Sequence, residues 1–157
     1  MQRYIKMRTK QNNSHFFLYY SRFAVPLHPQ NEVRMKDICC IGHVTKDKIV
    51  TPSSTVYMAG GTSFYFAYAI NQLPKDVSFS LITAMDPTEK EPVEKMLKAG
   101  IDVTLNPSRN TVFFENIYGD NPNDRKQRVL AKADPFTIQQ LEHVEAKVFH
   151  LGSLLSG

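Results

Sequence analysis

An α/β fold built on a mainly parallel sheet is what this sequence predicts, and three features predict it. Short apolar runs alternate with helix-like segments along residues 36–157. The first of those runs, Ile38 to Ile41, is continuously apolar, as a strand buried on both faces must be. The stretch from Asp86 to Gly100 carries the punctuation of a helix: Asp86 as N-cap, Pro87 at the first helical position, Glu89 placed to complete a capping box, and Gly100 after the end. Sheets of this kind bind ligands beyond the carboxyl ends of their strands, which marks the segment after Ile41 as a candidate site.

Each further element has its own signal. Gly42 ends the first strand, and Lys48 to Val50 and Thr55 to Met58 read as a small hairpin around Thr51-Pro52-Ser53-Ser54. Ser63 to Leu73 is apolar almost all round and is stopped by Pro74, which predicts a buried helix. Val77 to Thr83 returns to strand character, and Val93, Met96 and Leu97 form the inner stripe of the helix that Asp86 opens. Ile101 to Leu105 and Thr111 to Tyr118 are strand-like, Gly119 to Asp124 is a polar loop, and Gln127 to Lys132 is a further strand. Asp134-Pro135 is a second helix start, for a helix carrying Ile138 and Leu141, and Val148 to Leu151 closes as a strand. No covering helix follows before Gly157, so the expectation is a truncated fold whose bare last strand makes the isolated chain sticky and poorly soluble.

A chain of 157 residues is long enough for one domain with a real core. Its net charge of +4 raises the question of nucleic acid. Residues 1–34, however, carry Arg3, Lys6, Arg8, Lys10, Arg22 and Arg34 against Glu32 alone, which leaves the remainder near neutral and without a nucleic-acid face. Those residues show neither helical nor strand periodicity and are read as an upstream or disordered leader, with Met35 as the natural start. A secretory signal is a weaker fit because Arg22 interrupts the apolar stretch from Phe16 to Leu27. No apolar run is long enough to cross a bilayer. Cys39 and Cys40 are neighbours whose side chains point to opposite faces of a strand, so they are expected as reduced, buried, small hydrophobes in a cytoplasmic protein.

Chemistry concentrates at Gly42-His43-Val44-Thr45-Lys46-Asp47 and at Gly60-Gly61. Asp47, read as a loop residue, is a carboxylate able to accept hydrogen bonds from two neighbouring hydroxyls of a polyol. A glycine pair opening a helix lets a backbone with free N–H groups approach a ligand closely. In order and spacing this resembles the PfkB-type, ribokinase-like carbohydrate kinases: strand, Gly-x-x-x-x-Asp, short hairpin, then Gly-Gly before a helix that carries Ala67. The resemblance extends through Thr111 to Tyr118, Arg125 to Leu130 and His150-Leu151-Gly152, about residues 36–157.

The resemblance implies a ribokinase-like α/β/α sandwich with a small β-sheet lid, of which residues 36–157 are the N-terminal, substrate-binding portion. It implies that Asp47, Gly60 and Gly61 bind a sugar-like acceptor, with Thr45, His43 and Tyr65 as neighbours. The reaction implied is ATP-dependent phosphorylation of a hydroxyl, with magnesium as the usual ion. Tyr65 and Thr45 stand where sugar kinases of the family often have Asn, which admits a cyclitol, another sugar or a nucleoside in place of ribose. The family's Gly-Ala-Gly-Asp region, with its catalytic Asp, has no counterpart here, so no catalytic residue is assigned and the fragment by itself is expected to be inactive. Alternative readings are a nucleoside kinase and a non-catalytic sugar-binding module, or a homodimer formed through the lid strands.

The remaining candidates read as structure. His15, His28, His43, His143 and His150 lack metal-ligand spacing, and His150 reads as a satisfied core histidine. Asp120, Asn121, Asn123 and Asp124 lack the pattern of a calcium loop. Arg125, Lys126 and Arg128 read as an exposed lid edge.

Overall fold

The computed structural model describes residues 35–74, 76–121 and 123–152, together with the backbone of 17–20 and 23–26. The chain divides into two units, residues 1–34 and 35–157. In the first, β1 (Phe17–Tyr20) and β2 (Phe23–Pro26) form an antiparallel hairpin in a stretch whose sequence shows no strand periodicity. The aromatic and β-branched residues there favour strands, although an apolar residue at every position hides the alternation. The rest of the leader, including Met1 to Phe16, lies outside the described residues.

The second unit runs β3 (Lys36–Ile41), β4 (Thr45–Val50), β5 (Thr55–Gly60), α1 (Thr62–Ile70) and β6 (Phe79–Met85). It continues with a 3-10 turn at Pro87–Glu89, then α2 (Glu91–Lys98), β7 (Val103–Pro107), β8 (Phe113–Tyr118), β9 (Arg125–Ala131), α3 (Ile138–Leu141) and β10 (Ala146–Leu151). Two four-stranded sheets result. One, in the order β10-β3-β6-β7, is parallel throughout. The other, β5-β4-β8-β9, has a parallel central pair and antiparallel edges, and is the lid.

Alternation along β3 sends Cys40 and Cys39 to opposite faces of the parallel sheet, and the core divides accordingly. Cys40 and Leu81 pack with Val44, Ala67 of α1 and Met96 of α2. Cys39, Ile41 and Ile82 pack with Phe136, Leu141 and Val144 around α3. Helices therefore cover both faces, giving an α/β/α sandwich with a lid. Both thiols are buried and free, and burial pushes their pKa values up, so they stay protonated and inert. Among the described residues, no helix is long and apolar enough to cross a membrane.

Several elements differ from their sequence-based expectation. The first hairpin spans all of Thr45–Val50 and Thr55–Gly60, so Asp47 lies within a strand and not in a loop. The polar run Thr45-Lys46-Asp47-Lys48 hides that strand, because only backbone pairing to β5 and β8 forms it. Helix α1 ends at Ile70, where Asn71 turns its side-chain amide to the Ala99 carbonyl at 3.1 Å and the last N–H groups tighten onto nearer carbonyls. Nor is α1 buried all round: Ser63 and Ala67 are its buried residues.

Asp86 does cap the next turn, accepting from the Thr88 N–H at 2.8 Å. Glu89 closes no capping box because its carboxylate is taken by Lys46, and α2 starts afresh at Glu91 with an inner stripe of Val93 and Met96 that leaves Leu97 exposed. Asp134 opens no helix. Its carboxylate accepts from the backbone N–H and the Nε of Arg109, both at 2.8 Å, and α3 begins instead with a capping box between Thr137 and Gln140. His150 stacks on Phe66 at 3.9 Å, and among the described residues its buried Nε2 has no hydrogen-bond partner.

Candidate functional site

Strand alternation sets which side chains of β4 meet the glycine pair. Thr45 and Asp47 share one face, and the Thr45 hydroxyl donates to Asp47 Oδ1 at 2.7 Å. Gly60, the last residue of β5, stands opposite Thr45 in the register. A Cβ at Gly60 would lie 2.9 Å from Asp47 Cγ and 3.2 Å from Thr45 Oγ1, and closer still to Asp47 Oδ2. The missing side chain is thus what lets the carboxylate lie over the β5 backbone.

Gly61 is required for a second reason. Its φ of 92 and ψ of 151 fall where essentially only glycine goes, and a Cβ there would come within 2.7 Å of the His43 carbonyl oxygen. That backbone turns the chain from β5 into α1, whose N-terminus has no side-chain cap. Deeper in, a Cβ at Gly42 would meet Gly152 Cα at 3.0 Å, so the carboxyl ends of β3 and β10 close on each other beside buried Ser63.

The sequence-derived residues do not all converge. Asp47, Thr45, Gly60 and Gly61 come together in one cluster, with Met58 and Phe114 in register with Asp47 on the flanking strands. His43 contributes its carbonyl to the Gly61 turn, while its ring is buried and stacked on Phe136 at 5.2 Å. Tyr65 lies on α1, 55% exposed, with its ring edge against Phe64. Among the described residues, no three His, Cys, Asp or Glu side chains converge to hold a metal ion.

Two features of the surroundings were not legible in the sequence. The opposite face of β4 points Lys46 to Glu89, whose carboxyl is held below the usual carboxylate range chiefly by that contact. A cavity of about 600 Å³ opens on that side, between Lys46 and Tyr57 of the lid and Tyr68, Glu91 and Lys95 of the helices. In the lid, Lys48 and Arg128 clamp the nearly buried carboxylate of Glu115, so Arg128 is more than an exposed edge residue. Lys46 and Glu89 are 43 residues apart, Lys48 and Glu115 are 67 apart, and Glu115 and Arg128 are 13 apart, so no local pattern reveals them; only the alternation at Lys46 and Lys48 hints at a shared face.

No protein-family model and no curated protein matches the chain. Among solved structures, a pyrophosphate-dependent kinase in the ribokinase family, in a sulfate complex, is 26% identical over 73% of this chain and 40% of its own, with a TM-score of 0.61. One complexed with a pyrophosphate analog and myo-inositol is 27% identical over 73% of this chain and 39% of its own, also with a TM-score of 0.61. Ribokinase from Giardia lamblia, 14% identical over 69% of this chain and 37% of its own at a TM-score of 0.59, shares the fold. The chain thus spans about 40% of the length of the first of these proteins.

Proposed function

This chain has the ribokinase-like fold, and on that premise we propose that it forms the acceptor-binding side of a small-molecule kinase that phosphorylates a hydroxyl of a sugar-like polyol. Asp47 accepts hydrogen bonds from two adjacent acceptor hydroxyls, and Thr45 fixes its carboxylate in the required rotamer. Gly60 and Gly61 bring bare backbone up to the same ligand. The donor is a phosphoanhydride, ATP or pyrophosphate; two of the similar kinases named above are pyrophosphate-dependent. A kinase of this fold needs positioning, charge neutralisation and a base for the acceptor hydroxyl, and residues 36–152 supply the first of these.

The observation that carries this reading is the Asp47 carboxylate lying over the Gly60 backbone. A cyclitol is the favoured acceptor, since one similar kinase was solved with myo-inositol; a nucleoside is the alternative. The test is a thermal-shift panel of myo-inositol, pentoses, hexoses and nucleosides on the full chain. A shift with a polyol that disappears in Asp47→Ala supports the assignment, whereas a shift that survives this change refutes it.

A second reading concerns assembly. The lid face that carries Asp47 also leaves Val56, Met58 and Val129 about half exposed, so the lid of a second copy could cover it. Light scattering should then give a dimer that Val129→Asp dissociates.

A further inference from the structure

Adjacent residues of a strand point to opposite faces, so the two sides of β4 have separate partners. One side carries Thr45 and Asp47 to the glycine pair. The other carries Lys46, whose ammonium lies 5.2 Å from the centroid of the Phe113 ring on the neighbouring lid strand and pairs with Glu89. Glu89 belongs to the 3-10 turn at the carboxyl end of β6, outside the lid. The same turn is tied to the chain entering β8, because the Asp86 N–H donates to the Thr111 hydroxyl at 3.2 Å.

The other ion pairs among the described residues work differently. Lys48, Glu115 and Arg128 brace the lid internally, and Arg109 with Asp134 clips together the two segments that enter and leave its second half. Lys46–Glu89 is the ion pair among them that fastens a lid strand to the rim of the parallel sheet. Behind it the lid is not packed on the helices, since the cavity of about 600 Å³ separates Tyr57 and Ala59 from Tyr68, Glu91 and Lys95. The lid is therefore a braced sheet held by its chain crossings, a turn at Gly61 and one charged contact on its back. Any swing toward the Asp47 side stretches that contact.

We propose that Lys46 and Glu89 are positioning residues that form a latch, holding the lid back from the polyol site in the ligand-free protein, so that acceptor binding at Asp47 works against the pair. This rests on the reading of Asp47 as the acceptor site, but the latch has its own signature without ligand. Both side chains are part exposed, 39% and 34%, so the pair is a modest restraint that ligand binding can overcome. Full exposure would make it negligible and full burial would make it permanent.

The experiment uses the full chain with spin labels at Val129→Cys on the lid and Leu97→Cys on α2. Both positions are exposed, while Cys39 and Cys40 are shielded from the label. In Glu89→Gln the ligand-free distance distribution should move to the one the parent protein adopts with myo-inositol, and Lys46→Arg should leave it in place. Affinity for myo-inositol should rise by about twofold to fivefold in Glu89→Gln, the range a part-exposed pair can supply, and the double charge swap Lys46→Glu with Glu89→Lys should return it to the parent value. An unchanged ligand-free distribution in both Glu89→Gln and Lys46→Met overturns the latch, as does weaker binding in Glu89→Gln. If no polyol binds the parent protein, the acceptor reading fails, while the ligand-free distances still decide for or against the latch.

Discussion

The carboxylate of Asp47 and the backbone of Gly60 occupy space that a single added methyl group would contest. A Cβ on Gly60 would fall 2.9 Å from Asp47 Cγ, inside any real contact distance for such an atom. Two residues thirteen positions apart in sequence are thereby matched: a carboxylate on one strand and the absence of a side chain on its neighbour.

Asp47→Ala should abolish polyol binding while leaving the fold intact. Asp47 is only half buried and accepts its hydrogen bond from the Thr45 hydroxyl, so its removal leaves no buried charge and should alter stability by at most about 1 kcal/mol. Calorimetric titration with myo-inositol, beside a melt of the free protein, separates the two effects. A variant that melts early and still binds would reverse the assignment.

How much of this was readable in advance follows from the range of each interaction. The Asp86 cap is a local signal, as are the Gly-x-x-x-x-Asp spacing and the glycine pair, and the last two point to Asp47, Gly60 and Gly61 as one cluster. Strand β4 is hidden in the sequence because its pairing lies in the backbone while its side chains alternate Thr, Lys, Asp, Lys. The position of Glu89 relative to Asp86 predicts a capping residue, but a lysine 43 residues earlier captures it. Leu97 and the outer face of α1 look like core in the sequence because hydrophobicity reports what a residue could bury, not whether something lies opposite it.

Gly61→Ala should destabilise more than Gly100→Ala, although both glycines have positive φ. At Gly100 a Cβ meets nothing within 4 Å, so the cost is the left-handed backbone alone, roughly 1 kcal/mol. At Gly61 the backbone lies in the glycine-only region and the new Cβ meets the His43 carbonyl, so a cost of about 2–3 kcal/mol is expected. Urea unfolding of the two variants should rank them in that order, and equal midpoints would show that the turn relaxes freely.

Glu115 should make the lid acid-sensitive. Its carboxyl is held below the usual carboxylate range, first by the hydrogen bond from Lys48 and then by that from Arg128, against the opposing effect of burial. A carboxyl whose pKa is lower folded than unfolded stabilises the fold at pH values above the unfolded value of about 4.3 and loses that contribution as pH falls through the folded value. Melting temperature should therefore fall on acidification below about pH 4.3. Glu115→Gln should melt lower than the parent at neutral pH, with a shallower decline in the acid range. Parallel acid limbs for the two proteins would mean the clamp contributes nothing.

The outer strand of the parallel sheet should govern how the isolated chain behaves in solution. Strand β10 pairs with β3 on one side, and Val148, Phe149 and Leu151 are 56%, 48% and 64% exposed, a row of apolar side chains on both faces of an edge. Such an edge presents unpaired backbone groups next to hydrophobic surface and recruits other chains by strand addition or by simple coalescence. A charge placed there opposes both, because any partner strand would have to desolvate it. Val148→Lys sits beside Lys147, which already pairs with Asp37 and keeps its own side chain in water, so the change should not disturb the core. Size-exclusion chromatography at rising concentration should show the parent chain losing material to species larger than a dimer, and the variant losing less. A monomeric parent with a sharp cooperative melt would instead mean that this edge is harmless in the isolated chain.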